Sequence, residues 1–209
     1  MPVSLRLLTI PLILVLALDA TRAFGQTAAM VDEILTALRG GGHVIVVRHG
    51  VTHPDQADTR PLQLDDVDRQ RHLTDQGRAQ AQALGAALRA AGVSIDRVYS
   101  SKFQRAVETA RLIAGKEPQT SLDITEGGLV VSPNENARRA QALRALAGTP
   151  PAPATNTLIV SHKPNILDAF GKEWFEIKEG EASIFRPGGA GTYALVGRVR
   201  IDDWASARR

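Results

Sequence analysis

Two short, unbroken aliphatic runs constrain this chain most: Val44-Ile45-Val46-Val47 and Leu158-Ile159-Val160, the second preceded by Thr157 and followed by Ser161. Runs of this length, with no polar alternation, read as strands buried on both faces. A strand covered on both faces belongs in a mainly parallel sheet between layers of helix. The rest of the chain supplies those helices. Val31, Ile34, Leu35 and Leu38 recur at helical spacing over residues 28–39 and stop at Gly40-Gly41-Gly42. Thr74 is placed to cap a helix that runs to residue 91, with Ala83, Leu84, Ala87 and Leu88 inward. A strand over 97–100 follows, and Ser101 is expected to open a helix that ends near residue 114. A short strand is expected at 122–124, a helix over 134–147, and another helix after Pro164. The tail reads as two strands, 182–185 and 192–199, turning at Pro187-Gly188-Gly189. The expected fold class is α/β, a three-layer α/β/α sandwich with a mainly parallel central sheet.

In such sheets ligands sit beyond the carboxyl ends of the strands, and both aliphatic runs end in histidine. Arg48-His49-Gly50 closes the first, and Ser161-His162 closes the second. Residues 50–71 lack periodicity and hold Pro54, Pro61 and five Asp, which describes a long loop over that sheet end. Arg105 falls in the first turns of the helix after the 97–100 strand, where guanidinium and backbone donors can face an anion. Two Arg and two His converging on one point would repel one another unless a multiply charged anion were meant to sit there.

Composition narrows the chemistry. The 209 residues suit one catalytic domain with a real core. With no Cys, disulfides, thiolate metal sites and a Cys nucleophile are excluded. The formal net charge is only +3 and the basic residues are scattered, which argues against a nucleic-acid groove. Residues 1–25 hold Arg6, then a short apolar run through Leu18, then small residues around Ala23 and Gly25. That is the pattern of a secretory signal peptide, expected to be cleaved, with a single domain over 26–209. A membrane anchor is the alternative, but Asp19 and Arg22 cut the apolar run short of the roughly 20 residues a span requires. No stable anchor is expected after cleavage, and a periplasmic or secreted location follows.

Taken together, Arg48-His49-Gly50, the Leu73-Thr74-Asp75-Gln76-Gly77-Arg78-Ala79-Gln80-Ala81 stretch, Ser100-Ser101-x-x-x-Arg105-Ala106-x-x-Thr109-Ala110 and the late Ser161-His162 form one pattern. It resembles the histidine phosphatase superfamily, also called phosphoglycerate-mutase-like, in the family's order and over essentially the whole chain after residue 25. The long Asp-containing loop and Gly180-Glu181-Ala182 resemble small exported bacterial members. The resemblance implies that His49 attacks phosphorus to form a phosphohistidine while Arg48, Arg105 and His162 hold the phosphoryl oxygens. It implies Glu126 as general acid, with Glu181 as rival, or no acid at all. Thr52 and Arg71 are further candidates for phosphate contact. His43, His53 and His72 are assigned to structure or to the substrate rim. No metal and no cofactor are expected, since no His pair has ligand spacing on one helix face. The expected partner is a phosphorylated small molecule, an envelope sugar phosphate by resemblance. A phosphomutase and a non-catalytic phosphate- or phosphoprotein-binding module are the competing readings.

Overall fold

A computed structural model describes residues 28–127 and 130–206. The expected signal segment, residues 1–25, lies outside the described residues. A helix over residues 28–39 (α1) leads into β1, Val44–Arg48. The chain continues through α2 (Asp75–Ala90), β2 (Ile95–Ser101), α3 (Gln104–Ala114), β3 (Gln119–Ser121), α4 (Pro133–Ala147), β4 (Asn156–Ser161) and α5 (Lys163–Phe170). It ends in β5 (Ala182–Gly189) and β6 (Thr192–Val199). The six strands form one sheet in the order β3-β2-β4-β1-β5-β6. The first four are mutually parallel, and β5 runs antiparallel to both β1 and β6.

Strand alternation in β1 explains why its apolar run is unbroken. Ile45 and Val47 point into a core shared with Leu158 and Val160 of β4 and with α1, α2 and α3. Val44 and Val46 point the other way, against Leu143 of α4, Ile166 of α5 and Trp174. All four are fully buried, so a polar residue at any of them would lose its water without a partner.

Several local expectations change. Ser101 closes β2 instead of capping α3; the N-cap is Phe103, whose N–H donates to the Ser101 hydroxyl at 3.1 Å. The short strand lies at Gln119–Ser121, and 122–124 is a one-turn 3-10 helix. Ala83 faces solvent and Ala81 is the buried residue, a shift of half a turn on α2. Pro187, Gly188 and Gly189 stay within β5 through irregular pairing with β6, and the hairpin turns at Ala190-Gly191, both with positive φ. Two adjacent left-handed residues match the right-handed twist of the flanking strands, which is why this turn sits there. Thr74 caps α2 as expected, accepting from the Gly77 N–H at 3.0 Å.

Gly77 brings α2 against the start of the 50–74 loop. A Cβ built there would lie 2.2 Å from the Val51 carbonyl oxygen, and one on Gly50 would press on the Gly77 carbonyl at 3.1 Å. The glycine of Arg48-His49-Gly50 therefore serves a close backbone approach, with no left-handed turn.

Candidate active site

The carboxyl ends of β1 and β4 lie side by side, with Arg48 opposite Ser161, so the next residues, His49 and His162, meet with ring centroids 5.2 Å apart. His49 is held on both flanks. Its N–H donates to the Ser161 carbonyl at 3.0 Å, and its own carbonyl accepts from Gly180 at 2.8 Å. The next peptide is pinned by α3, where the Thr109 hydroxyl accepts from the Gly50 N–H at 3.0 Å and donates to the Arg105 carbonyl at 2.7 Å.

His49 Nδ1 is 2.9 Å from the Gly50 carbonyl oxygen. A carbonyl only accepts, so Nδ1 carries the proton and Nε2 keeps its lone pair. Burial, then the neighbouring His162 and Arg105, hold the His49 pKa well below its ordinary 6.5. The imidazole is thus neutral. Arg105 and Arg48 both contribute, but loss of water is the larger cause.

His162, at the N-cap of α5, is fully buried with Nε2 2.6 Å from the Ser101 hydroxyl. Its Nδ1 lies 3.3 Å from Oε1 of Glu126, without hydrogen-bond alignment. Burial first, then Arg105, Arg71 and Arg48, push its pKa well below 6.5. Like His49, His162 is therefore neutral here.

Two arginines, Arg48 and Arg105, flank these rings, and the charge of a third, Arg71, acts on His162. Arg48 donates through Nη1 to the Ile177 carbonyl at 2.8 Å and holds Nη2 3.5 Å from Glu179. Arg105, fully buried in the first turn of α3, donates through Nη1 to Asp58 at 2.9 Å and through Nη2 to Glu126. The charge of Arg71 depresses the pKa of both Arg48 and His162, which puts its guanidinium within electrostatic reach of both.

Glu126 thus touches two of the groups expected to grip phosphate. Glu181 does not. Its carboxylate accepts from Arg198 Nε at 2.7 Å and from the Lys178 N–H at 3.0 Å, so the rival acid is a structural residue beneath the loop that leads into β5. Thr52 is also reassigned: its hydroxyl donates to Glu179 at 2.7 Å and is engaged within the protein. The sequence assigns no role in the site to Asp58, Glu179 or Ser101. Asp58 is one of five loop aspartates with nothing in the sequence to distinguish it, and Glu179 sits two residues from Glu181, the rival acid. Among the described residues, no group of three or more His, Asp or Glu is arranged to hold a metal ion, and no helix is long and apolar enough to cross a membrane.

A parallel sheet whose adjacent strands end in two uncharged imidazoles, flanked by the guanidiniums of Arg48 and Arg105, has the chemistry to bind an oxyanion. Residues 44–129 match the sequence profile of the histidine phosphatase superfamily (branch 1). That match spans less than half of the 209 residues. Over 71 residues it is 41% identical to the mitochondrial serine/threonine-protein phosphatase Pgam5 of Drosophila virilis, a stretch that is 34% of this chain and 22% of that protein. The chain therefore matches about a fifth of that relative's length. Among solved structures, its fold is similar to the protein histidine phosphatase SixA complexed with tungstate, with TM-score 0.53 and 20% identity over 77% of this chain and 98% of that one. It is likewise similar to YhfR of Bacillus stearothermophilus, with TM-score 0.53 and 18% identity over 74% of this chain and 95% of that one.

Proposed function

We propose that this protein is a phosphatase that hydrolyses phosphomonoesters through a phosphohistidine on Nε2 of His49. The observation that carries the reading is the neutral, buried imidazole with Nδ1 tied to the Gly50 carbonyl, beside Arg48, Arg105 and His162. Nε2 attacks phosphorus in line as the bond to the leaving oxygen breaks, and that oxygen takes the proton from Glu126, which enters this step as the protonated acid. Arg48, Arg105 and His162 hold the three equatorial oxygens and absorb the charge that develops on them. Water then attacks the phosphohistidine, Glu126 accepts its proton, and orthophosphate leaves. Glu126 is favoured as the acid because its carboxylate already touches Arg105 and His162, within reach of any group bound between them. Similarity to a relative named as a phosphatase adds support.

The substrate in this reading is a phosphorylated small molecule, and a sugar phosphate of the cell envelope suits the location that the pattern of residues 1–25 would give, outside the cytoplasm. The test is hydrolysis of an aryl phosphate by the purified domain, with and without chelator, beside His49→Ala. Phosphate release independent of chelator, and a loss of at least about a thousandfold in His49→Ala, are expected. Activity that survives in His49→Ala sinks the nucleophile, and activity lost to chelator sinks the metal-free reaction.

A further inference from the structure

Asp58 belongs to the long loop between β1 and α2, yet its carboxylate lies inside the arginine cluster. One oxygen, Oδ1, accepts from Nη1 of Arg105 at 2.9 Å and from the backbone N–H of Arg71 at 3.0 Å. Arg105 is fully buried, its Nη2 faces Glu126, and its Nε has no hydrogen-bond partner among the described residues. A guanidinium carries five N–H donors in one rigid plane, so a bond at Nη1 fixes where the others point. With Nη1 and Nη2 each using one donor, three remain, enough to meet a tetrahedral oxyanion while Asp58 stays in place.

The loop is fastened to α3 independently. Buried Gln70 accepts from the Gln104 N–H at 2.7 Å and donates to the Leu64 carbonyl at 2.7 Å. Docking of the loop therefore does not depend on Asp58 alone, and the carboxylate is available for a different task.

We propose that Asp58 is a positioning residue for oxyanion binding: it clamps the Arg105 guanidinium from the side away from Glu126 and sets the Arg71 backbone beside it. The incoming phosphoryl group then meets an arginine whose plane is already set, and little ordering remains to be done on binding. This inference rests on the reading of the Arg105 cluster as the phosphoryl site.

The opposite role, a carboxylate that competes with the ligand for Arg105, predicts the opposite sign. Tungstate, a tetrahedral oxyanion, is titrated into the wild type, Asp58→Ala, Asp58→Asn and Gln70→Ala, and KM and kcat on an aryl phosphate are measured on the same preparations. Asp58→Ala is expected to weaken tungstate binding and raise KM by about tenfold each, with kcat changed less than about threefold. Asp58→Asn, whose amide oxygen still accepts both bonds, recovers most of that loss. Gln70→Ala lowers the melting temperature but leaves tungstate affinity within about threefold. Unchanged or tighter tungstate binding in Asp58→Ala overturns the proposal, as do equal losses in all three variants. A wild type that binds tungstate without turnover removes the phosphatase reading while the affinity ratios still judge the clamp. No binding by the wild type overturns both.

Discussion

Oε1 of Glu126 lies 3.3 Å from Nδ1 of His162 while the same carboxylate pairs with Arg105. In the proposed reaction this carboxyl group, when protonated, is placed to hand its proton to the oxygen that departs from between Arg105 and His162. Glu126→Gln removes that proton and keeps the shape. Turnover of alkyl phosphates should fall about a hundredfold, and that of aryl phosphates less than about fivefold, because a phenolate leaves without help. Paired kcat/KM values on the two substrate types check this. Equal losses on both would remove Glu126 as the acid.

The acid limb of activity should lie low. His49 must be neutral to attack, and its pKa sits well below 6.5, so kcat/KM on an aryl phosphate should hold as the pH falls through 6.5. Stability should move differently. An unfolded chain protonates both histidines from about 6.5 downward while buried His49 and His162 resist. Their contribution is complete above the unfolded value and is lost as the pH falls toward the folded ones, by up to about 1.4 kcal/mol per pH unit for each proton. Urea midpoints between pH 7 and pH 5 in phosphate-free buffer measure the slope, and a flat profile would contradict the buried, neutral pair.

Glu181→Gln separates structure from chemistry at the other glutamate. Its bonds to Arg198 and the Lys178 N–H lie outside the histidine cluster, so kcat should stay within about threefold while stability drops by about 1–3 kcal/mol. Chemical denaturation beside aryl phosphate turnover distinguishes the two. A kcat loss of a hundredfold at unchanged stability would return Glu181 to the site.

Gly77→Ala should destabilise although Ala favours helices by about 1 kcal/mol over Gly. The added Cβ would stand 2.2 Å from the Val51 carbonyl oxygen, so α2 must back away from the loop that carries Asp58 and Arg71. A melting temperature at or above that of the wild type would show that this approach is not needed.

The layers of the fold were legible because β1 and β4 are covered on both faces, which writes itself as continuous aliphatic runs. His49, His162 and Arg105 were legible because each sits where a regular element meets the ligand end of the sheet. Two of the carboxylates were not. Asp58 and Glu179 act from irregular segments whose course depends on bonds such as Thr59 N–H to the Arg69 carbonyl and Gly180 N–H to the His49 carbonyl. No periodicity records such bonds. Glu181 was a plausible acid by position, and its pairing with Arg198 of β6 could be seen only once the hairpin register was known.

The antiparallel course of β5 carries residues 177–181 back to the end of β1, where the Ile177 carbonyl, Glu179 and Gly180 hold Arg48 and His49. The cluster thus joins groups from residue 48 to residue 180, with the β4 pairing in between. During synthesis the first half of the chain emerges with His49 still lacking Ser161, His162 and Gly180, which hold and face it in the fold. The cluster is therefore completed late, and loss of the β5–β6 hairpin should disable the proposed chemistry of His49 by removing the strand that pairs with β1.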